Sequence, residues 1–440
     1  MKNKIFSLLF LSLITLPGVI HAQDKAKLDE YFNALETNHK FSGSVSVSKD
    51  GKTIYSRSVG FADAATNKKI NDNTKFRIGS ISKTFTSTLI FKAIEDKKLK
   101  LTDNLAAYFP TVPNASKITI SNLLNHRSGI HNFTNDPEYT TWMTNAKTQA
   151  EMVAIIAKPA SEFEPDSKAD YSNSNYVLLS YILEKAYKKP YKEIVDQNIV
   201  KPLGLKNTYF GGKINPANNE ANSYATNDTK EKEPETDISI PMGAGGIVST
   251  PNDLSRFIEA LFSGKIISMA SLDQMKTIKD NYGMGLFKFP FDSKTGFGHS
   301  GGIDGFTSLL SYFPEDKITF ALTSNAGGSK NNDVAIAVLS WVNNKPFEIP
   351  DFKTFTNSSA DLDKYVGNYT SAQIPLAIAI TKDGTTLMAQ ATGQSAFPLD
   401  GTAKDKFAFE MAGILLEFKP EQNQMVLKQG GGVFTFTKGK

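Results

Sequence analysis

The hydrophobic positions of this chain change period several times, and the changes divide it into pieces. Leu28, Tyr31, Phe32 and Leu35 recur at helical spacing. Residues 41–48 then alternate, Lys49-Asp50-Gly51 offers a tight turn, and residues 53–59 alternate again. This predicts a β-hairpin whose Asp-Gly pair supplies positive backbone angles. From 82 to 99 the apolar positions return to helical spacing, and over 100–260 short helical runs alternate with polar loops, the most polar at 213–237. One helix start is explicit: Thr250 offers a capping hydroxyl, Pro251 takes the first position and Asp253 lies two residues on. Strand character reappears at 306–313 and 318–323 around a Pro314-Glu315-Asp316-Lys317 turn, and a helical run follows at 334–342. Strands at both ends with helices between predict an α+β domain. Its antiparallel sheet is assembled from both ends of the domain, flanked by helices and interrupted by a helical subdomain.

The two ends of the chain read differently. Beyond a segment at 346–357 that holds Pro346 and Pro350, residues 358–440 form short alternating runs. Turns such as Lys382-Asp383-Gly384 separate them, which predicts a small C-terminal β-barrel. At the start, Lys2 and Lys4 precede an apolar run at 5–16, then Pro17-Gly18 and Ala22. This is the layout of a signal peptide with cleavage near Ala22-Gln23, so the expected location is periplasmic or secreted. The run is too short for a membrane span. The expected division is therefore 1–22 signal, 23–345 main domain, 346–357 linker and 358–440 β module.

Charge and composition narrow the chemistry. The 440 residues carry 49 Lys+Arg against 45 Asp+Glu, a net charge of +4 that falls to +2 without the first 22 residues. That balance leaves no basic footprint for nucleic acid. The absence of cysteine removes disulfides, thiolate metal sites and a thiol nucleophile, so covalent catalysis must use an oxygen or an amine. His126 and His131 flank a glycine in a loop and lack further ligands nearby, so no metal and no cofactor is expected.

Ser80 and Lys83 stand in Ser-x-x-Lys spacing, which places them one turn apart on one helix face. Serine is a weak nucleophile until a base takes its proton, and lysine serves only if its pKa is lowered. A helix N-terminus at Ser80 would also aim free N–H groups at an oxyanion. Such a pair is common, and by itself it says little. Two further stretches add to it: Asp170-Tyr171-Ser172-Asn173 before a helical run at 176–187, and Phe297-Gly298-His299-Ser300-Gly301-Gly302 before a strand. With Leu123-Leu124-Asn125-His126-Arg127-Ser128-Gly129-Ile130 and the 245–254 segment, the chain resembles the serine β-lactamase and penicillin-binding-protein superfamily over about residues 25–345. It is most similar to the class C-like branch of β-lactamases, D-alanyl-D-alanine carboxypeptidases, D-amino-acid peptidases and esterases. That branch has Ser-x-x-Lys, Tyr-x-Asn and Lys/His-x-Gly boxes in this order. Lys294-Thr295-Gly296 also spells the third box, but the family's later landmarks (Gly305-Phe306, Pro314-Glu315, Asn325) keep register from His299.

The resemblance implies roles residue by residue. Ser80 would form an acyl-enzyme while Lys83 and Tyr171 share proton transfer. Asn173 would bind the substrate amide and Lys83. The backbone N–H groups of Ser80 and Gly302 would form the oxyanion hole. His299, Ser300 and Gly301 would line the substrate pocket, the first two meeting the substrate's acidic end. Histidine in place of the β-lactamases' lysine implies weaker binding of a β-lactam carboxylate. The resemblance therefore implies an exported serine hydrolase acting on peptides or amides, including D-residue ones, or on small esters. The alternatives are a β-lactamase and a non-catalytic penicillin-binding or sensing domain. It implies a small-molecule or peptide substrate, a C-terminal module that resembles a lipocalin-like barrel, and no cofactor, and it leaves an oligomer open.

Overall fold

The structure, a computed structural model, describes residues 20–439 apart from 228, 230, 330, 353–357, 410–411 and 430–431. All but the last three residues of the expected signal peptide lie outside the described residues. The chain divides into two compact units, Met1–Ile349 and Pro350–Lys440.

The first unit is built on a six-stranded antiparallel sheet. Its order is Lys52–Val59, Gly43–Lys49, Ile318–Ser324, Phe306–Phe313, Lys294–Ile303, Phe287–Phe291. The hairpin at the start of the chain joins strands from its far end through pairs such as Gly43 with Ser324 and Val47 with Phe320. Asp50 and Gly51 both take positive φ (50° and 75°), as the tight turn between the first two strands demands. The Ser/Val alternation of Gly43–Lys49 would ordinarily mark one wet face. Here the serine face is covered too. The Ser46 hydroxyl donates to Asn252 Oδ1 (2.8 Å), and Ser48 and Thr319 both donate to Glu259. Asn252 and Glu259 belong to the helix Pro251–Phe262, whose start follows the sequence expectation: the Asp253 amide donates to Thr250 Oγ1.

On the other side, helix Ile20–Thr37 buries Leu28, Tyr31, Phe32 and Leu35, with Phe32 stacked on Tyr55 of the second strand at 6.0 Å. Trp341 of helix Asn331–Val342 meets the same Tyr55 at 5.5 Å.

In chain order the helical insertion falls between the strands of the hairpin and those at the sheet's other end. Helix Ser82–Glu95 is its axis, buried over almost its whole length. A helix this enclosed must satisfy its own hydroxyls. Thr84 donates to the Gly285 carbonyl (2.8 Å), Thr86 to that of Gly243 (2.6 Å) and Ser87 to that of Met284 (2.6 Å). It ends at Glu95 rather than at 99, because Lys97 turns left-handed (φ 59°). Helix Asn173–Tyr187 packs beside it, and Phe85 stacks on Phe257 at 3.7 Å.

The second unit is a closed eight-stranded barrel, Gly367–Thr370 through Gly432–Lys438, with the first and last strands paired antiparallel. Its core is filled by Tyr365, Tyr369, Phe407, Phe418, Met425 and Phe436. This is a barrel packed with side chains, as small barrels are.

Candidate active site

Ser80 stands on a short 3-10 turn, Gly79–Ile81, that runs into helix Ser82–Glu95, so the helix proper begins two residues later than the sequence spacing suggests. The turn is pinned from both sides. Ser308 Oγ donates to the Ile78 carbonyl (2.8 Å) and the Ile247 amide donates to Ser82 Oγ (3.0 Å). Strand Lys294–Ile303 crosses it so closely that glycine is required on both partners. Gly79 has φ +48°, and a Cβ there would lie 2.7 Å from the Gly302 nitrogen. A Cβ on Gly301 would lie 2.1 Å from the Ile78 carbonyl.

Lys83 is fully buried, and its Nζ lies 2.9 Å from Ser80 Oγ, 2.7 Å from Asn173 Oδ1 and 2.8 Å from the Ala244 carbonyl. Burial holds its pKa well below the usual lysine value. The neutral amine has two N–H bonds and one lone pair. Asn173 Oδ1 and the Ala244 carbonyl can only accept, so they take the two N–H groups and the lone pair is left for the Ser80 hydroxyl. The Asn173 orientation is independently set, because its Nδ2 donates to Thr134 Oγ1 (3.1 Å). On the other side of Ser80, Tyr171 Oη donates to Oγ at 2.8 Å. Burial raises the Tyr171 pKa, which keeps the phenol protonated. Ser80 therefore receives a hydrogen bond from Tyr171, and a neutral Lys83 is placed to accept the Ser80 hydroxyl proton.

Tyr171 and Asn173 are placed by the entry to helix Asn173–Tyr187. The Asn173 amide donates to Asn132 Oδ1 (3.0 Å), and Ser174 Oγ donates to the His131 carbonyl (2.6 Å). This helix is thus capped by a residue 41 positions upstream rather than by its own neighbour. The His126 ring lies 4.4 Å from that of Tyr171, and its Nδ1 accepts from the Ser172 amide (3.2 Å). His126 is buried, and burial together with nearby Lys83 and His299 holds it neutral. His131 joins Glu162 (2.6 Å) and Asp136 (2.8 Å), and among the described residues no cluster suited to a metal ion occurs.

His299 is buried as well, with its pKa pulled down to about 3 by burial and by Lys83. Its Nδ1 faces the Ser300 carbonyl at 2.5 Å, so Nδ1 carries the proton and Nε2 does not. Lys294 sits at the far end of the same strand, paired with Asp316 at 2.5 Å. Ser80 opens into a cleft of about 270 Å³ whose wall includes Asn173, Tyr139, Met143, Glu233, Thr236, Gly302 and Asp304. On this strand His299 is buried with its ring 6.5 Å from that of Tyr171, Ser300 is exposed, and Gly301 backs the serine turn. The strand lines the cleft through Gly302 and beyond.

One wall of the cleft is held by a buried ion pair that sequence reasoning missed. Arg77 Nη1 donates to Asp304 Oδ2 (2.8 Å) and to the Thr236 carbonyl (2.7 Å). Its Nη2 reaches Glu235 Oε1 (2.5 Å) and the Gly212 carbonyl (2.9 Å). Thr236 returns both its amide and its hydroxyl to Asp304. Gly79, Asn132, Thr134, Ala244 and Arg77 were not singled out from the sequence. Only Gly79, next to the serine, carried a local signal.

With this geometry in view, comparison with known proteins places the chain. Residues 28–340 match the Beta-lactamase family model, and the chain belongs to that family. It is 27% identical over 434 residues to penicillin-binding protein 4* of Bacillus subtilis, covering 90% of this chain and 94% of that protein. It is 26% identical over 330 residues to the teichoic acid D-alanine hydrolase of Staphylococcus aureus (71% of this chain, 79% of that one). The D-amino acid amidase of Ochrobactrum anthropi, solved with D-phenylalanine, superposes with a TM-score of 0.62 at 27% identity, covering 72% of this chain and 99% of that one. The chain thus belongs to the serine hydrolase superfamily of the β-lactamase fold, with relatives named as a teichoic acid D-alanine hydrolase and a D-amino acid amidase.

Proposed function

We propose that this chain is an exported serine hydrolase of the class C-like branch that forms an acyl-enzyme on Ser80. Its substrates are amides, peptides or small esters, D-amino-acid derivatives foremost. The observation that carries the reading is the position of Ser80 Oγ, 2.9 Å from a buried, neutral-tending Lys83 amine and 2.8 Å from a protonated Tyr171 phenol. Lys83 Nζ takes the hydroxyl proton as Oγ bonds to the substrate carbonyl carbon. The backbone N–H groups of Ser80 and Gly302 receive the resulting oxyanion, a contribution of about 3–4 kcal/mol per donor in comparable sites. Collapse breaks the bond to the leaving group, which takes a proton from Tyr171, and the Lys83 ammonium restores that proton. Water then attacks the ester carbonyl, gives up a proton through the same pair, and Ser80 leaves with its hydroxyl re-formed. Asn173 orients Lys83 and faces the cleft, where it can meet the substrate amide.

The relatives named for D-alanine and D-amino acid hydrolysis support D-configured acyl groups. The chain's start, with its basic residues and short apolar run, supports export. His299, neutral and buried, offers no fixed positive charge to a β-lactam carboxylate, which makes β-lactam hydrolysis the alternative reading. A panel of nitrocefin, p-nitrophenyl acetate and D- and L-amino-acid amides, run on wild type and Ser80→Ala, tests the reading. D-Amides and esters should turn over through Ser80 and nitrocefin slowly or not at all. Rapid nitrocefin clearance would make the protein a β-lactamase. A persistent Ser80 adduct without turnover would make it a sensor.

A further inference from the structure

The cleft beside Ser80 has a marked sign of charge. Among the described residues its lining includes two carboxylates, Glu233 and Asp304, and no Lys, Arg or His. Asp304 is spent: it is buried against Arg77 and takes both the amide and the hydroxyl of Thr236. Glu235, beside it, accepts from Arg77 and from the Ile214 amide. Lys83 lies below the nucleophile, with burial favouring its neutral form. Glu233 is different. Its side chain has no hydrogen bond or ion pair among the described residues, although its backbone is fixed by a bond from its amide to the Ser223 carbonyl (3.0 Å). The side-chain stem is placed as well. Gly305 turns left-handed beneath it (φ +79°), and a Cβ there would come within 2.9 Å of Glu233 Cγ. Pro234 follows directly, and Thr236 anchors the segment to Asp304.

An unpaired carboxylate on the wall of a small cleft attracts a cation and repels an anion. A cleft of about 270 Å³ is at the small end of ligand sites, which suits a single aminoacyl group. Resting on the Ser80 hydrolase reading, we propose that Glu233 is a specificity-determining residue that pairs with a free ammonium group on the acyl part of the substrate. The enzyme then cleaves aminoacyl amides and esters with an unblocked amine, and it discriminates against substrates that present a carboxylate to the cleft.

The test compares D-alanine p-nitroanilide with N-acetyl-D-alanine p-nitroanilide, which differ in the charged amine. Free and blocked substrates are read as a kcat/KM ratio within each enzyme, so that partial loss of folded protein cancels. Wild type should favour the free amine by about tenfold or more, and Glu233→Gln should bring the ratio close to one. Glu233→Lys should reverse it in favour of N-succinyl-D-alanine p-nitroanilide over the free amine. A wild-type ratio near one, or a ratio unchanged in Glu233→Gln, overturns the proposal. So does a wild type that hydrolyses p-nitrophenyl acetate through Ser80 but neither alanine anilide. Failure of wild type to be acylated by p-nitrophenyl acetate would instead overturn the Ser80 reading on which the proposal rests.

Discussion

Lys83 is the side chain on which the chemistry turns, and its environment makes a pH statement. Its base form exists above its pKa, and burial moves that pKa down from about 10.4. With p-nitrophenyl acetate, which carries no titrating group, kcat/KM should rise with pH through a midpoint well below the ordinary lysine value. Because burial raises the Tyr171 pKa, the rate should then stay level through pH 9 rather than fall as a tyrosine ionises. A midpoint above pH 10 would return Lys83 to the charged state and remove it as the base. His299 makes the companion statement about stability. Its folded pKa of about 3 lies below the usual value of about 6.5, so between these limits the unfolded chain binds a proton that the folded one excludes. Its contribution is complete above pH 6.5 and lost as pH falls toward 3. The pH dependence of urea unfolding between pH 7 and 4 should be shallower in His299→Gln by about one proton. An unchanged slope would mean that His299 titrates normally.

At the scale of elements, the site exists because strand Lys294–Ile303 lies against the serine turn with no side chain between them. Gly79→Ala would put a methyl group into the Gly302 backbone at a left-handed residue. The strand must move away, and an oxyanion donor moves with it. A drop in kcat of at least about a hundredfold should follow, together with a lower melting temperature. Wild-type kinetics in that variant would show that the close approach is unimportant. The same elements show what the sequence made legible. Hairpin, strands and helices announced themselves through period and turn residues, and Ser80, Lys83, Tyr171 and Asn173 meet in space as their ordered motifs suggest. Hidden from it were contacts made by single atoms of residues far apart in the chain. The Ala244 carbonyl that steers Lys83, the Asn132 side chain that caps the Asn173 helix and the Arg77–Asp304 pair follow no periodic pattern. The neighbours His299 and Ser300 show the same limit, one buried and the other exposed. Strand alternation says that neighbours face opposite ways, but not which of them the cleft will reach.

At the scale of the whole molecule, the described residues that line the cleft and the groups bonded to Ser80 Oγ belong to the first of two units, whose hydrophobic cores are separate. A chain ending at Ile349 should therefore still be labelled at Ser80 by a fluorophosphonate. Loss of labelling with native circular dichroism would assign the barrel a part in the chemistry. The packed barrel core, with Tyr365, Phe407 and Phe418 in mutual ring contact, fits a structural role for its interior. The measurement that reaches the central claim most directly is intact-protein mass spectrometry of acid-quenched mixtures with p-nitrophenyl acetate. One transient acetyl group is expected, located by peptide mapping at Ser80 and absent from Ser80→Ala. Acetylation at another residue, or undiminished turnover by Ser80→Ala, would contradict it.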